Sequence, residues 1–164
     1  HQEGRLRMRA SAVRLVAAGL VLAGSLTACS PKLPKGVDEQ QLSEAVGRAI
    51  GGPNTCVLLA NKAGKVVWTG GGYITCARNL PTCGGATTTA QTVLEGAVGK
   101  PSRFVSCPSG PGVNTVGWAM GPVPVGAGKP DLGLSYVAVM EGERALPGRE
   151  VQERVEEAFA KAGL

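Results

Sequence analysis

The sequence predicts an α+β fold, a five-stranded antiparallel sheet with three helices in the order α-β-β-α-β-β-β-α. Two observations carry that expectation. Five short β-prone runs are joined by links of hairpin length, which suits antiparallel neighbours. Three further stretches repeat apolar residues at helical spacing, and each presents a face that must be buried against something.

The elements follow in order. Asp38 stands at the N-cap of a first helix, with Gln41 three residues on in the capping-box position. Leu42, Ala45, Val46, Ala49 and Ile50 share one face of it, and Gly51-Gly52-Pro53 stops it. Thr55 to Ala60 and Lys65 to Thr69 are apolar runs on either side of the polar turn Asn61-Lys62-Ala63-Gly64, which together read as a β-hairpin. Residues 70–86 read as a loop containing Tyr73, Cys76, Arg78 and Cys83. A second helix is expected from about Thr88 to Val98, with Val93, Leu94, Ala97 and Val98 inward and Gly99-Lys100-Pro101 as its stop. Arg103 to Ser106, Thr115 to Met120 and Leu134 to Met140 are the remaining strands. The last helix follows Pro147 and runs to Ala162. Its inner face is Val151, Val155, Ala158, Phe159 and Ala162, and Glu150, Glu153 and Arg154 lie on the other.

Aromatic residues are scarce, so the core is expected to be aliphatic. Glycine and proline gather in clusters such as Gly70-Gly71-Gly72 and Gly121-Pro122-Val123-Pro124, which read as turns between periodic segments. Ahead of the domain, Arg5, Arg7, Arg9 and Arg14 precede an uncharged apolar stretch, Leu15 to Leu26, and a small-residue pair, Thr27-Ala28. This is the three-part order of a secretory signal. Twelve helical residues span only about 18 Å, short of the roughly 30 Å hydrocarbon core, which disfavours a permanent membrane helix. Met8 is the expected start, with His1 to Arg7 an upstream extension.

The ending Leu26-Thr27-Ala28-Cys29 resembles the lipobox of bacterial lipoproteins. That resemblance implies a diacylglycerol on the Cys29 thiol, cleavage just before it and acylation of the new amino group. Two or three acyl chains, at about 0.8 kcal/mol per buried methylene, hold a protein on a bilayer that one chain would not. The alternative is a plain secretory signal followed by a chance cysteine. The expected division is signal peptide over 1–28, lipidated tether over 29–36 and a single domain over 37–164. Ser30, in place of Asp after the cysteine, implies by the resemblance to proteobacterial lipoproteins onward transport to the outer membrane, facing the periplasm; in a bacterium with one membrane it implies nothing.

Of 17 basic and 12 acidic residues, Arg5, Arg7, Arg9, Arg14 and Glu3 fall in the signal segment, which leaves 13 and 11. A surface so nearly balanced gives no electrostatic footprint for nucleic acid. The expected partners are a membrane, through the lipid, and a protein of the envelope.

The hairpin phrase from Val57 to Val67 is similar to the strand, polar-Gly turn and strand that open the roadblock and profilin-like domains. The element order over Val37 to Gly163 resembles theirs as well. Members of that group mostly mediate assembly or bind small ligands, and the resemblance implies such a role without assigning any site residue.

Beyond Cys29 there are four cysteines, Cys56, Cys76, Cys83 and Cys107, an even number in an exported chain. Zinc is the alternative, but the spacings lack the paired C-x₂-C knuckles of structural sites. The expected architecture ranks the three connectivities. A strand doubling back along the second helix returns Cys107 toward Cys83, while Cys56 and Cys76 share the open end of the first hairpin. Cys56–Cys76 with Cys83–Cys107 therefore comes first, and Cys76–Cys83 with Cys56–Cys107 is the rival.

The domain contains no histidine, since the chain's one histidine is His1. That removes Ser-His-Asp and Cys-His catalysis and histidine-ligated metal or haem. Glu95, Asp131, Glu141, Glu143, Glu150, Glu153, Glu156 and Glu157 read as solvated groups, the first alone on the second helix and Glu141 and Glu143 in a loop. Gly70-Gly71-Gly72 lacks the Lys-Ser/Thr and helix start of a phosphate loop. No cofactor, no metal and no catalytic residue is expected. Trp68, Tyr73, Arg78, Arg103 and Trp118 form a candidate binding surface, because aromatics and arginine supply most hot spots; both tryptophans lie in strands and read first as the large pieces of the core. The sequence thus points to a lipid-anchored, non-catalytic binding or assembly module. A small-ligand sensor is the alternative, and an envelope enzyme using carboxylates or thiols comes behind both.

Overall fold

A computed structural model describes residues 30–110, 112 and 114–164. The expected signal segment 1–28 and the expected lipid site Cys29 lie outside the described residues.

Helix α1 (Glu39–Ile50) starts where Asp38 accepts a hydrogen bond from the Gln41 amide at 3.1 Å, half of the expected capping box. Leu42, Val46 and Ile50 are its buried stripe. Strands β1 (Thr55–Ala60) and β2 (Val66–Gly71) form the hairpin. Asn61 shapes their turn by accepting from the Ala63 and Lys65 amides. A bulge leaves Val67 unpaired, so Val67 and Trp68 both turn toward the same core.

Residues 70–86 depart from the loop expected. A short helix, α2 (Tyr73–Ala77), follows β2, and a two-stranded ribbon follows it, β3 (Leu80–Pro81) with β4 (Thr87–Thr88). Helix α2 is too short to show a periodic pattern. It is held from outside, by the Thr75 hydroxyl donating to the Pro53 carbonyl at 2.8 Å and by the Cys56–Cys76 disulfide. The described residues therefore hold four helices where three were expected.

Helix α3 (Ala90–Ala97) has Thr89 as its N-cap, accepting from the Thr92 amide. Strands β5 (Arg103–Pro108), β6 (Thr115–Pro122) and β7 (Ser135–Gly142) follow, each running two residues past its expected end. Helix α4 (Gly148–Lys161) closes the chain.

The five long strands form one sheet in the order β2-β1-β7-β6-β5, antiparallel throughout. Because strand side chains alternate, the buried central strands feed two cores. Val57, Leu59, Ala119, Tyr136 and Ala138 face α1 and α4, whose Val46, Val151, Val155 and Phe159 complete that core. Cys56, Leu58, Val116, Trp118, Met120, Val137 and Val139 face α3, whose Ala90, Leu94 and Ala97 meet them with Leu80. Helix α4 reaches the sheet closely because its first residue is glycine. A Cβ on Gly148 would come within 2.5 Å of the Val105 carbonyl and 2.6 Å of the Trp118 carbonyl. The Gly148 amide donates to the Ser106 hydroxyl at 2.6 Å, which supplies the cap that Pro147 does not.

Disulfides join Cys56 to Cys76 and Cys83 to Cys107, the pairing ranked first from the sequence. Such bonds persist in oxidising compartments. No helix among the described residues is long and apolar enough to cross a membrane.

Candidate functional site

A crevice opens on the α3 face, at the edge of the sheet. Helix α3 packs over β7, β1 and β6, and leaves the edge strand β5 largely beyond its cover. The gap holds a cavity of about 260 Å³. One wall is Thr92, Val93, Gly96 and Ala97 of α3, and the other is Arg103 and Val105 of β5. Trp118 and Met120 of β6 make the floor, Thr82 closes one side, and Lys100-Pro101 stands where α3 gives way to β5.

Each part has a local cause. The Trp118 ring nitrogen donates to the Pro81 carbonyl at 2.7 Å, which satisfies the indole's one donor and fixes its orientation. The Thr82 hydroxyl donates to the Ala86 carbonyl at 2.8 Å, folding its loop tightly beside the Cys83–Cys107 disulfide. The Arg103 Nε donates to the Met120 sulfur at 3.3 Å, which holds the arginine stem along the floor. Gly96 contributes only backbone, and a Cβ there would meet nothing within 4 Å. Apolar floor, fixed indole and cationic rim make a binding arrangement in which no lining residue is a carboxylate or a histidine.

Of the five residues singled out in the sequence, the crevice brings together Arg103 and Trp118. Trp68 is a correction to the binding surface and takes its core alternative, buried in the core cluster on the opposite face of the sheet. Trp118 too is a core residue, 1% exposed, and serves the site only as floor. Tyr73 and Arg78 lie on and beside α2. Tyr73 is 83% exposed, and Arg78 is tied to Glu141 by a 2.6 Å ion pair. Glu141 is a strand residue of β7, a correction to the loop expected from the sequence. The sequence did not single out Lys100, Thr82, Thr92, Gly96 or Met120. Lys100 and Arg103, three residues apart after a helix stop, were the one signal that pointed to them.

A larger hollow of about 420 Å³ runs between α1 and α4, but its chemistry does not converge. Its charges have both signs, and Arg154 and Lys161 are paired with Glu150 and Glu157 one turn away. The perturbed titratable pair lies elsewhere again. Burial raises the Tyr136 phenol far above its ordinary range, with the Glu156 charge adding to the effect, and its hydroxyl donates to Glu156 at 2.9 Å. Burial likewise raises the Glu156 carboxyl, against the lowering effect of that hydrogen bond. This pair ties α4 to the sheet and faces no cavity lining.

Among the described residues no group of three or more His, Cys, Asp or Glu is placed to hold a metal. All four described cysteines are bonded, so none is a free thiol. Fold and crevice together define a small disulfide-bonded α+β domain with a ligand-sized gap at one sheet edge. No family model, no curated protein and no solved structure matches the chain.

Proposed function

We propose that this chain is an exported, lipid-anchored binding module that acts without catalysis and takes a small ligand in the crevice between α3 and β5. The observation that carries the ligand is the convergence of Lys100 and Arg103 over a floor of Trp118 and Met120. The two disulfides support export. The basic segment, the apolar stretch and Leu26-Thr27-Ala28-Cys29 support the anchor, and the resemblance to roadblock and profilin-like domains supports binding over catalysis.

A second reading, an assembly module with a protein partner in the envelope, draws on Tyr73 and Ile74. Both are large apolar residues left exposed on α2, and the Cys56–Cys76 bond holds that helix firmly. The readings separate in one experiment, a small-fragment screen followed by amide chemical shifts. Ligand binding moves the signals of Thr92, Lys100, Arg103 and Trp118 and leaves Tyr73 unmoved. A screen whose hits perturb no crevice residue counts against the proposal. The anchor is tested separately. Cys29→Ala expressed in a bacterium should accumulate uncleaved precursor that takes up no labelled fatty acid, and continued labelling would exclude Cys29 as the lipid site.

A further inference from the structure

The crevice carries two positive charges and no negative one. Lys100 and Arg103 form no ion pair among the described residues, so neither charge is neutralised within the crevice. The Arg103 Nε is occupied by the Met120 sulfur, and its two terminal nitrogens make no hydrogen bond among the described residues. An anion at this rim gains from both cations, and a guanidinium fork suits a carboxylate as it does a phosphate. Below the rim the chemistry turns apolar within one side chain, to Trp118, Met120, Val105, Val93 and Ala97.

Volume limits what the floor accepts. An apolar cavity of about 150 Å³ takes benzene, so 260 Å³ admits a body of roughly ten non-hydrogen atoms. A full-length acyl chain is larger than that. We infer that the crevice binds a compact organic monoanion, a carboxylate on an aromatic or short aliphatic body, with its charge between Lys100 and Arg103 and its body on Trp118 and Met120. This rests on the crevice being the binding site, as proposed above.

The chain has two tryptophans, and Trp68 lies on the other face of the sheet, so Trp68→Phe leaves Trp118 as the crevice's own reporter. Titration of the intact variant with phenylacetate should shift Trp118 emission with a Kd of about 1 mM or below. Phenylacetamide, the same shape without the charge, should bind about tenfold more weakly or worse. Arg103→Gln and Lys100→Gln should each weaken phenylacetate about tenfold and leave phenylacetamide unchanged. Gly96→Leu should abolish both, because the fold has room for the new Cβ but the side chain fills the crevice. Calorimetry on the chain with both tryptophans gives the same ranking should Trp68→Phe disturb the core. Equal affinity for acid and amide, or tighter binding of phenyl phosphate, overturns the ligand class and leaves the crevice as a site. No binding of phenylacetate, phenylacetamide or octanoate overturns the crevice and the functional reading with it.

Discussion

The two faces of the sheet are closed by different means. On one, α1 and α4 lie side by side and bury an aromatic pair, Tyr136 against Phe159, edge to face with centroids 5.2 Å apart. On the other, the eight residues of α3 cover only the central strands, and the rest falls to α2, a short two-stranded ribbon and two disulfides. Helices long enough to span a sheet seal it by apolar burial alone. A face with less helix keeps its loops in place covalently and leaves a gap at the edge, and that gap is the crevice. The aromatic core pair and the crevice thus lie on opposite sides of one sheet.

The largest expected effect is on the sealed face. Phe159→Ala should cost about 3–5 kcal/mol, because the aromatic is wholly buried and its surroundings are packed on all sides. Met120→Ala, at the crevice floor, should cost about 2 kcal/mol, since the space it vacates joins a cavity already open. Denaturant unfolding of both variants checks the difference. Equal losses would mean that the two faces are packed alike.

Next come the disulfides. Each closes a loop, with sequence separations of 20 and 24 residues, and loops of that length are worth about 3 kcal/mol each in the chain-entropy model. Removing Cys83–Cys107 by a double serine variant should also release the Thr82 side of the crevice. Removing Cys56–Cys76 should cost similar stability and spare ligand binding. The pairing itself is checked by non-reducing tryptic mapping, since cleavage at Lys62, Arg78 and Arg103 places the four cysteines on separate peptides. The Cys56 peptide should travel with that of Cys76. Finding it with the Cys107 peptide would refute the arrangement.

The difference between the faces also explains what the sequence revealed. The sealed face was legible because α1 and α4 carry long apolar stripes, from Leu42 to Ile50 and from Val151 to Ala162, that only a helix can align. The open face was legible in its strands and in α3, and its disulfides followed from the strand order. Helix α2 was not, because five residues held by Thr75 and a disulfide have no period to read. The crevice was legible in part. Arg103 and Trp118 stood out by residue type, but Thr92, Gly96 and Met120 are ordinary residues whose role depends on where α3 stops short of β5. Trp68 stood out for the same reason as Trp118 and proved to be core, since type alone does not tell one face of a sheet from the other.

The smallest expected effect sharpens the account of the sealed face through its Tyr136–Glu156 contact. Tyr136 is fully buried and donates to Glu156 on α4, whose carboxyl burial raises above the ordinary value of 4.5. The folded chain therefore binds the Glu156 proton more tightly than the unfolded chain does. Stability from this group is fully present below the unfolded value and is lost as pH rises through the raised folded value. Glu156→Gln keeps an oxygen for the Tyr136 hydroxyl and removes the titration. Unfolding midpoints measured from pH 4 to pH 8 should fall more for the parent chain than for Glu156→Gln, and the gap should open in the acid half of that range. Tyr136→Phe acts in the opposite sense on the same group. It removes the one hydrogen bond that lowers the Glu156 carboxyl, so the fall should move to higher pH. If Glu156→Gln follows the parent at every pH, the pair is an exposed contact rather than part of the seal.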